Sequence, residues 1–78
     1  MEATVLSTRE FTYHPSKHPE ETRTAIEMWF KFDGVDYSFK MSFFTEEAIA
    51  KVKAAEKTKK AIFSIKPDRY VNPIFVLE

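Results

Sequence analysis

The 78-residue sequence contains no cysteine and a single glycine, Gly34. Without cysteine, no disulfide or thiolate metal site can hold the domain together, and no thiol can act as a nucleophile. One glycine cannot build the usual glycine-rich loop that cradles phosphates. The sequence also has no GxSxG elbow and no HExxH pair. We therefore expect a protein that is not an enzyme and uses no cofactor.

Long apolar runs and net charge are also missing. No run approaches the ~20 apolar residues that span a bilayer, and the N-terminal residues do not have the pattern of a secretory signal. We therefore expect a cytoplasmic protein without a membrane partner. Twelve basic residues balance twelve acidic ones, which argues against a general attraction to nucleic acid. The balance is uneven, because residues 37–70 carry eight basic and four acidic side chains.

Aromatic residues are abundant, with eight Phe, three Tyr and one Trp. Residues 26–44 show the clearest pattern, because apolar side chains recur at every second position on both sides of Asp33-Gly34. This alternation predicts two half-buried antiparallel strands joined by a turn. The predicted inner positions are Ile26, Met28, Phe30 and Phe32, followed by Tyr37, Phe39, Met41 and Phe43.

The remaining pattern extends this hairpin into one domain, residues 1–78. We predict strands over residues 3–13, with a bend or bulge near residues 7–9, and over 23–32, 35–43, 60–66 and 71–77. A helix begins at Thr45, which can cap it, and reaches Glu56 or Lys57. The fold class is α+β, predominantly β, with five antiparallel strands and one helix in the order β-β-β-α-β-β. Two architectures fit this order: an OB-like small barrel, or an open antiparallel sheet with the helix packed on it.

A candidate binding surface follows from side chains that interrupt the polar face of these strands. Trp29 and Phe44 fall on the side opposite the predicted core, and Lys31 and Lys40 are their basic neighbours. Arg69 and Tyr70 in the turn at 67–72 add a guanidinium and a ring. Each aromatic has a structural alternative: Trp29 and Tyr70 can be buried, and Phe44 can pack under the first helical turn.

Two other clusters have simpler explanations. Lys53, Lys57 and Lys60 share one side of the helix if it extends that far, either as a basic helix patch for phosphates or as a solvated face. His14 and His18, with Glu20, lie in a proline-broken loop, and we expect exposed histidines and no metal site there.

We expect a non-enzymatic binding or regulatory protein, of the adaptor or inhibitor type. It would contact a protein partner through a sheet edge or an aromatic patch. The alternative is single-stranded nucleic-acid binding on an OB-like sheet face, which predicts aromatic platforms flanked by lysines. A third possibility is a homo-oligomer that covers Trp29 and Phe44. The sequence does not identify the partner.

Overall fold

The fold was analysed in a computed structural model that describes residues 1–78. Its elements are, in chain order, β1 (Glu2–Tyr13), β2 (Arg23–Phe32), β3 (Phe39–Phe43), α1 (Glu46–Thr58), β4 (Lys60–Pro67) and β5 (Pro73–Leu77). All strand pairs are antiparallel, and the sheet order is β3-β2-β1-β4-β5. The predicted fold class and element order are confirmed. Because β3 and β5 do not pair, the sheet is open and the barrel alternative is not the one that forms.

Helix α1 lies across one face of the sheet. Thr45 caps it, with the Thr45 hydroxyl accepting a hydrogen bond from the Ala48 amide at 3.1 Å. Lys59, in the left-handed region at φ 62°, ends it. Val52 and Ala55 are its buried residues, so a narrow apolar stripe holds it to the sheet. The helix is neither long nor apolar enough to cross a membrane.

The hydrophobic core lies between α1 and the inner face of the sheet. Phe30 stacks on Phe63, with ring centroids 4.7 Å apart, and Phe32 lies edge-on to both. Phe30 and Phe32 belong to β2 and Phe63 belongs to β4, so these rings connect two strands across the intervening β1. The buried core residues are Ala3, Val5, Ile26, Met28, Phe30, Phe43, Val52, Ala55, Ala61, Phe63 and Leu77.

One extra residue in β1 lets both halves of this long strand pair with β2, although the alternation of inward and outward side chains changes between the halves. Val5 pairs with Phe30 and Ser7 pairs with Trp29, so Leu6 has no partner across the ladder and forms a bulge. The bulge lies just before the predicted range of residues 7–9. It allows Val5 to face the core while Ser7, two positions later, faces the opposite side.

Two strands are shorter than predicted. β3 begins at Phe39 rather than residue 35, because the Val35 amide donates to the Phe32 carbonyl at 3.1 Å and Gly34 adopts φ 83°. β5 begins at Pro73 rather than residue 71, because the preceding residues form a turn.

The side of the sheet away from α1, here called the outer face, carries no other element of the chain. Its centre consists of two rows of paired residues that cross the strands. Ser7, Trp29 and Lys40 form one row, and Lys60, Thr4 and Lys31 form the next. The prediction that Trp29 lies opposite the core is therefore confirmed.

Candidate functional site

Two surfaces of the molecule carry large side chains that are wholly or partly exposed to solvent. The first is the hairpin surface, formed by the β4–β5 hairpin and its turn. Its exposed large apolar side chains are Ile62, Ile65, Tyr70, Val71, Ile74 and Phe75, of which Phe75 also packs on Phe32 with ring centroids 5.4 Å apart. The second is the centre of the outer face around Trp29.

The turn at the tip of the hairpin surface is built by Asp68. Its carboxylate accepts hydrogen bonds from the amides of Tyr70 at 2.8 Å and Asn72 at 2.9 Å. The Val71 amide donates to the Asp68 carbonyl at 3.0 Å. This fixed turn places Val71 at φ 64° with 80% of its surface exposed. A β-branched residue at positive φ is strained. Because the Val71 side chain stays exposed, this strained conformation buries little apolar surface within the domain.

Arg69 and Tyr70, both predicted as binding residues, lie together in this turn. The Arg69 guanidinium is 5.1 Å from the centre of the Tyr70 ring, and it donates a hydrogen bond to the Tyr70 hydroxyl at 3.0 Å. Tyr70 is 69% exposed, so the alternative of a buried tyrosine is wrong. Tyrosine and arginine are over-represented among the residues that dominate protein interfaces.

The edge of β5 that faces away from β4 pairs with no other strand. The Glu78 amide donates to the Ile62 carbonyl at 2.8 Å, which fixes which residues of β5 bond to β4. Because antiparallel bonding alternates, the N–H and C=O groups of Phe75 and Leu77 point away from β4. The Lys51 ammonium donates a hydrogen bond to the Leu77 carbonyl oxygen at 3.5 Å. The other groups at this edge can pair with an added strand.

The molecule exposes more surface than its size requires. Its accessible area is 5723 Å², whereas a compact chain of this mass has about 4,900 Å². Its radius of gyration is 13.6 Å, against about 11.5 Å for a compact domain of this length. The excess of roughly 800 Å² reflects the elongated shape of the molecule, whose principal extents are 43 × 32 × 21 Å.

At the centre of the outer face, Trp29 is half-buried and Lys40 lies over its ring. The Lys40 ammonium is 6.0 Å from the ring centre. Lys31 follows Trp29 by two residues on the same side of β2, and Lys60 reaches the Thr4 hydroxyl at 3.4 Å. None of these three lysines forms an ion pair. The structure thus brings together Trp29, Lys31 and Lys40 as predicted, and adds Lys60.

Phe44, the remaining predicted binding residue, lies elsewhere on the outer face. It packs edge-on against Tyr13 and Phe11, with ring centroids 5.4 Å and 6.4 Å away. Ala25, directly paired with Phe11, is fully buried although it lies outside the main core. Phe44 also lines a pocket with Glu46 and Ile49 in the first turns of α1. It belongs to a small aromatic cluster of residues distant in sequence, which a local pattern could not reveal.

The predicted basic helix patch does not form as one unit. Lys53 pairs with Glu10 at 2.8 Å, and this hydrogen bond, with the charge of Glu10, raises the pKa of Lys53. Lys57 remains exposed on α1. Lys60 lies outside the helix, because α1 ends at Thr58 and the chain reverses there to enter β4.

The loop between β1 and β2 places His18, Glu20 and Glu21 near one another, with ligand atoms within 4.8 Å. All three are exposed, and the Glu21 carboxylate is held by Arg23 at 2.7 Å. His14 lies outside this group, with its Nδ1 atom 2.9 Å from the Glu21 carbonyl oxygen. Exposed acidic groups of this kind are satisfied without an ion.

The chain matches no protein-family model, and neither a curated protein nor a solved structure is similar to it. The geometry of the two surfaces is therefore the basis for the functional argument.

Proposed function

We propose that the protein is a non-enzymatic binding module, of the adaptor or inhibitor type, that holds a protein partner on the hairpin surface. The observation that carries this proposal is Val71. The turn holds this residue in a strained conformation and presents its side chain to solvent. Because strain without a benefit inside the domain is typical of functional positions, we infer that Val71 anchors a partner.

The partner we propose is an extended, apolar segment of another protein. Such a segment can add to the free edge of β5 through the backbone groups of Phe75 and Leu77. Its side chains would then pack on the exposed apolar residues of the hairpin, next to Arg69 and Tyr70.

Two further expectations belong to this proposal. The absence of catalytic motifs supports a module without enzymatic activity or cofactor. The absence of cysteine is compatible with the reducing cytoplasm, where we place the protein.

A photo-crosslinking experiment in the cells that produce the protein tests the proposal. A benzophenone amino acid is placed at Tyr70, or at Lys17 in the exposed β1–β2 loop as a matched control. We expect a discrete crosslinked partner from position 70 and none from position 17. With the purified partner, Val71→Asn should weaken binding at least tenfold. The amides of Phe75 and Leu77 should become protected from hydrogen exchange in the complex.

Three outcomes contradict the proposal. Equal crosslinking from both positions would show that the hairpin surface is not selective. A crosslink only to a second copy of the chain would replace the adaptor with a homo-oligomer. Full affinity in Val71→Asn would show that Val71 is not an anchor. Because this variant is expected to fold at least as stably as the wild type, lost binding cannot be attributed to unfolding.

A further inference from the structure

The outer face has a composition different from that of the hairpin surface. Hydroxyl groups and lysines surround one half-buried indole ring, and the exposed aliphatic side chains near it are Leu6 at the bulge and Ile62 beyond Lys60. We propose that this face is a second binding site, which takes a short single-stranded nucleic acid, with one base on Trp29 and neighbouring phosphates on Lys31, Lys40 and Lys60. This site is independent of the proposed protein-binding function.

The position of Trp29 suits base stacking. It lies in β2, which has a strand on either side, so its backbone is fixed by both neighbours. The residues that flank its ring across the sheet are Ser7 and Lys40. Ser7 is small, and the exposed Leu6 precedes it at the bulge. Stacking on an indole ring tolerates any base because each base has a π-face.

The charges around Trp29 favour a phosphate backbone. Lys40 lies across from the indole, Lys31 follows it along the strand, and Lys60 lies two strands from Lys31. At ~4.8 Å between strands, the lysines extend over roughly 14 Å of the face. The nearest carboxylate along β2, that of Glu27, is held by Arg9 at 3.0 Å. Glu2 lies on the same face, two residues before Thr4 in β1. The three lysines form no ion pair and outnumber this carboxylate around the aromatic platform.

The other lysines of the chain explain why the charge balance of the sequence does not exclude this site. Lys51 and Lys53 on α1 form ion pairs with Glu47 and Glu10. Acidic side chains thus compensate two lysines of α1, while Lys31, Lys40 and Lys60 of the outer face form no ion pair. A neutral chain in this way carries one locally positive face.

Fluorescence anisotropy with a labelled thymidine oligonucleotide of about 10 nucleotides, within the usual site size of one such sheet, tests the proposal. A uridine oligonucleotide of the same length distinguishes DNA from RNA. We expect binding by the wild type at about 50 mM salt, weakening roughly 7- to 18-fold by about 200 mM, as two to three phosphate contacts require. Trp29→Ala should weaken binding about 5- to 150-fold, and Trp29→Phe less, because a ring remains.

Charge variants provide the matched control. Lys31→Gln/Lys40→Gln should reduce the magnitude of the salt slope by about 1.4. Lys17→Gln/Lys57→Gln removes the same charge away from this face and should leave binding unchanged. Both double variants keep Trp29, so they remain informative even if Trp29→Ala fails to fold. Val71→Asn should bind the oligonucleotide normally, which separates this site from the hairpin surface.

Four results would overturn the proposal. They are no binding by the wild type at low salt, binding that ignores salt, full affinity in folded Trp29→Ala, and equal losses in the two double lysine variants. A polyglutamate peptide of the same length is the final comparison. If it binds as tightly as the oligonucleotide, the face attracts acidic protein segments and no base stacks on Trp29.

Discussion

Replacing Val71 with asparagine should stabilise the isolated domain, although it removes an apolar side chain. A left-handed conformation costs an L-residue roughly 1–2 kcal/mol, and asparagine tolerates it far better than valine. Because the valine side chain is 80% exposed, the lost burial is about a fifth of the ~1.5–3 kcal/mol for a fully buried apolar side chain. The balance favours Val71→Asn by about 0.5–1 kcal/mol.

Urea denaturation followed by far-UV circular dichroism measures this difference, with a thermal melt as a second reading. A gain of this size should raise the melting temperature by about 2–8 °C in a domain of this length. Ile65→Asn is the matched control, because Ile65 is similarly exposed but lies in β4 without positive φ. It should lose about 0.5–1 kcal/mol.

The reasoning would be refuted if Val71→Asn lost more than about 1 kcal/mol. That result would mean that the valine side chain holds the hairpin together and is not reserved for a partner. Equal losses in both variants would show that the backbone conformation of Val71 has no energetic consequence.

Four further measurements test the fold. Phe30→Ala should cost about 3–5 kcal/mol in urea denaturation, since Phe30 is fully buried among three rings; a loss below about 1 kcal/mol would contradict this core. Thr45→Ala should cost about 0.5–2 kcal/mol through the lost helix cap, and full stability would show that the cap is dispensable. Ala25→Leu should cost about 1–3 kcal/mol by overfilling the aromatic cluster, and a stable variant would show free space there. The hydrogen bond to Glu10 raises the pKa of Lys53, so the stability that this contact contributes is complete below pH 10.5 and is lost only as the pH rises further. The melting temperature of Lys53→Gln should therefore differ from that of the wild type by the same amount at pH 7 and at pH 9.

The sequence pattern predicted the elements of this fold better than their ends. Alternation over residues 26–43 identified the β2–β3 hairpin and the outward position of Trp29, because period two depends only on the backbone. It overestimated β3, since Val35 and Tyr37 continue the alternation although Gly34 and the turn at Phe32 delay the strand. A turn fixed by particular hydrogen bonds is not visible in hydrophobic periodicity.

Contacts between distant segments were the part that the sequence could not show. The cluster of Phe44 with Phe11 and Tyr13 depends on the register of three strands, and no local signal marks it. The predicted basic patch assigned Lys60 to one helix side with Lys53 and Lys57, although residues 60–66 were predicted as a strand; the left-handed Lys59 ends the helix before Lys60. The strain at Val71 was also missed, because this valine was predicted as the first residue of a strand and the pattern gives no sign of positive φ.

The pairing of β1 with β4 covers only three residue pairs, centred on Ala3 and Ala61, and yet it is the only strand pairing that joins the β1–β2–β3 meander to the β4–β5 hairpin. Each hairpin is local in sequence, whereas this junction brings together residues almost sixty positions apart. Closing so long a loop costs chain entropy before any contact rewards it. We therefore expect the hairpins to form early and the Ala3–Ala61 junction to set the folding rate, so that the smallest patch of the sheet governs how fast the whole domain assembles.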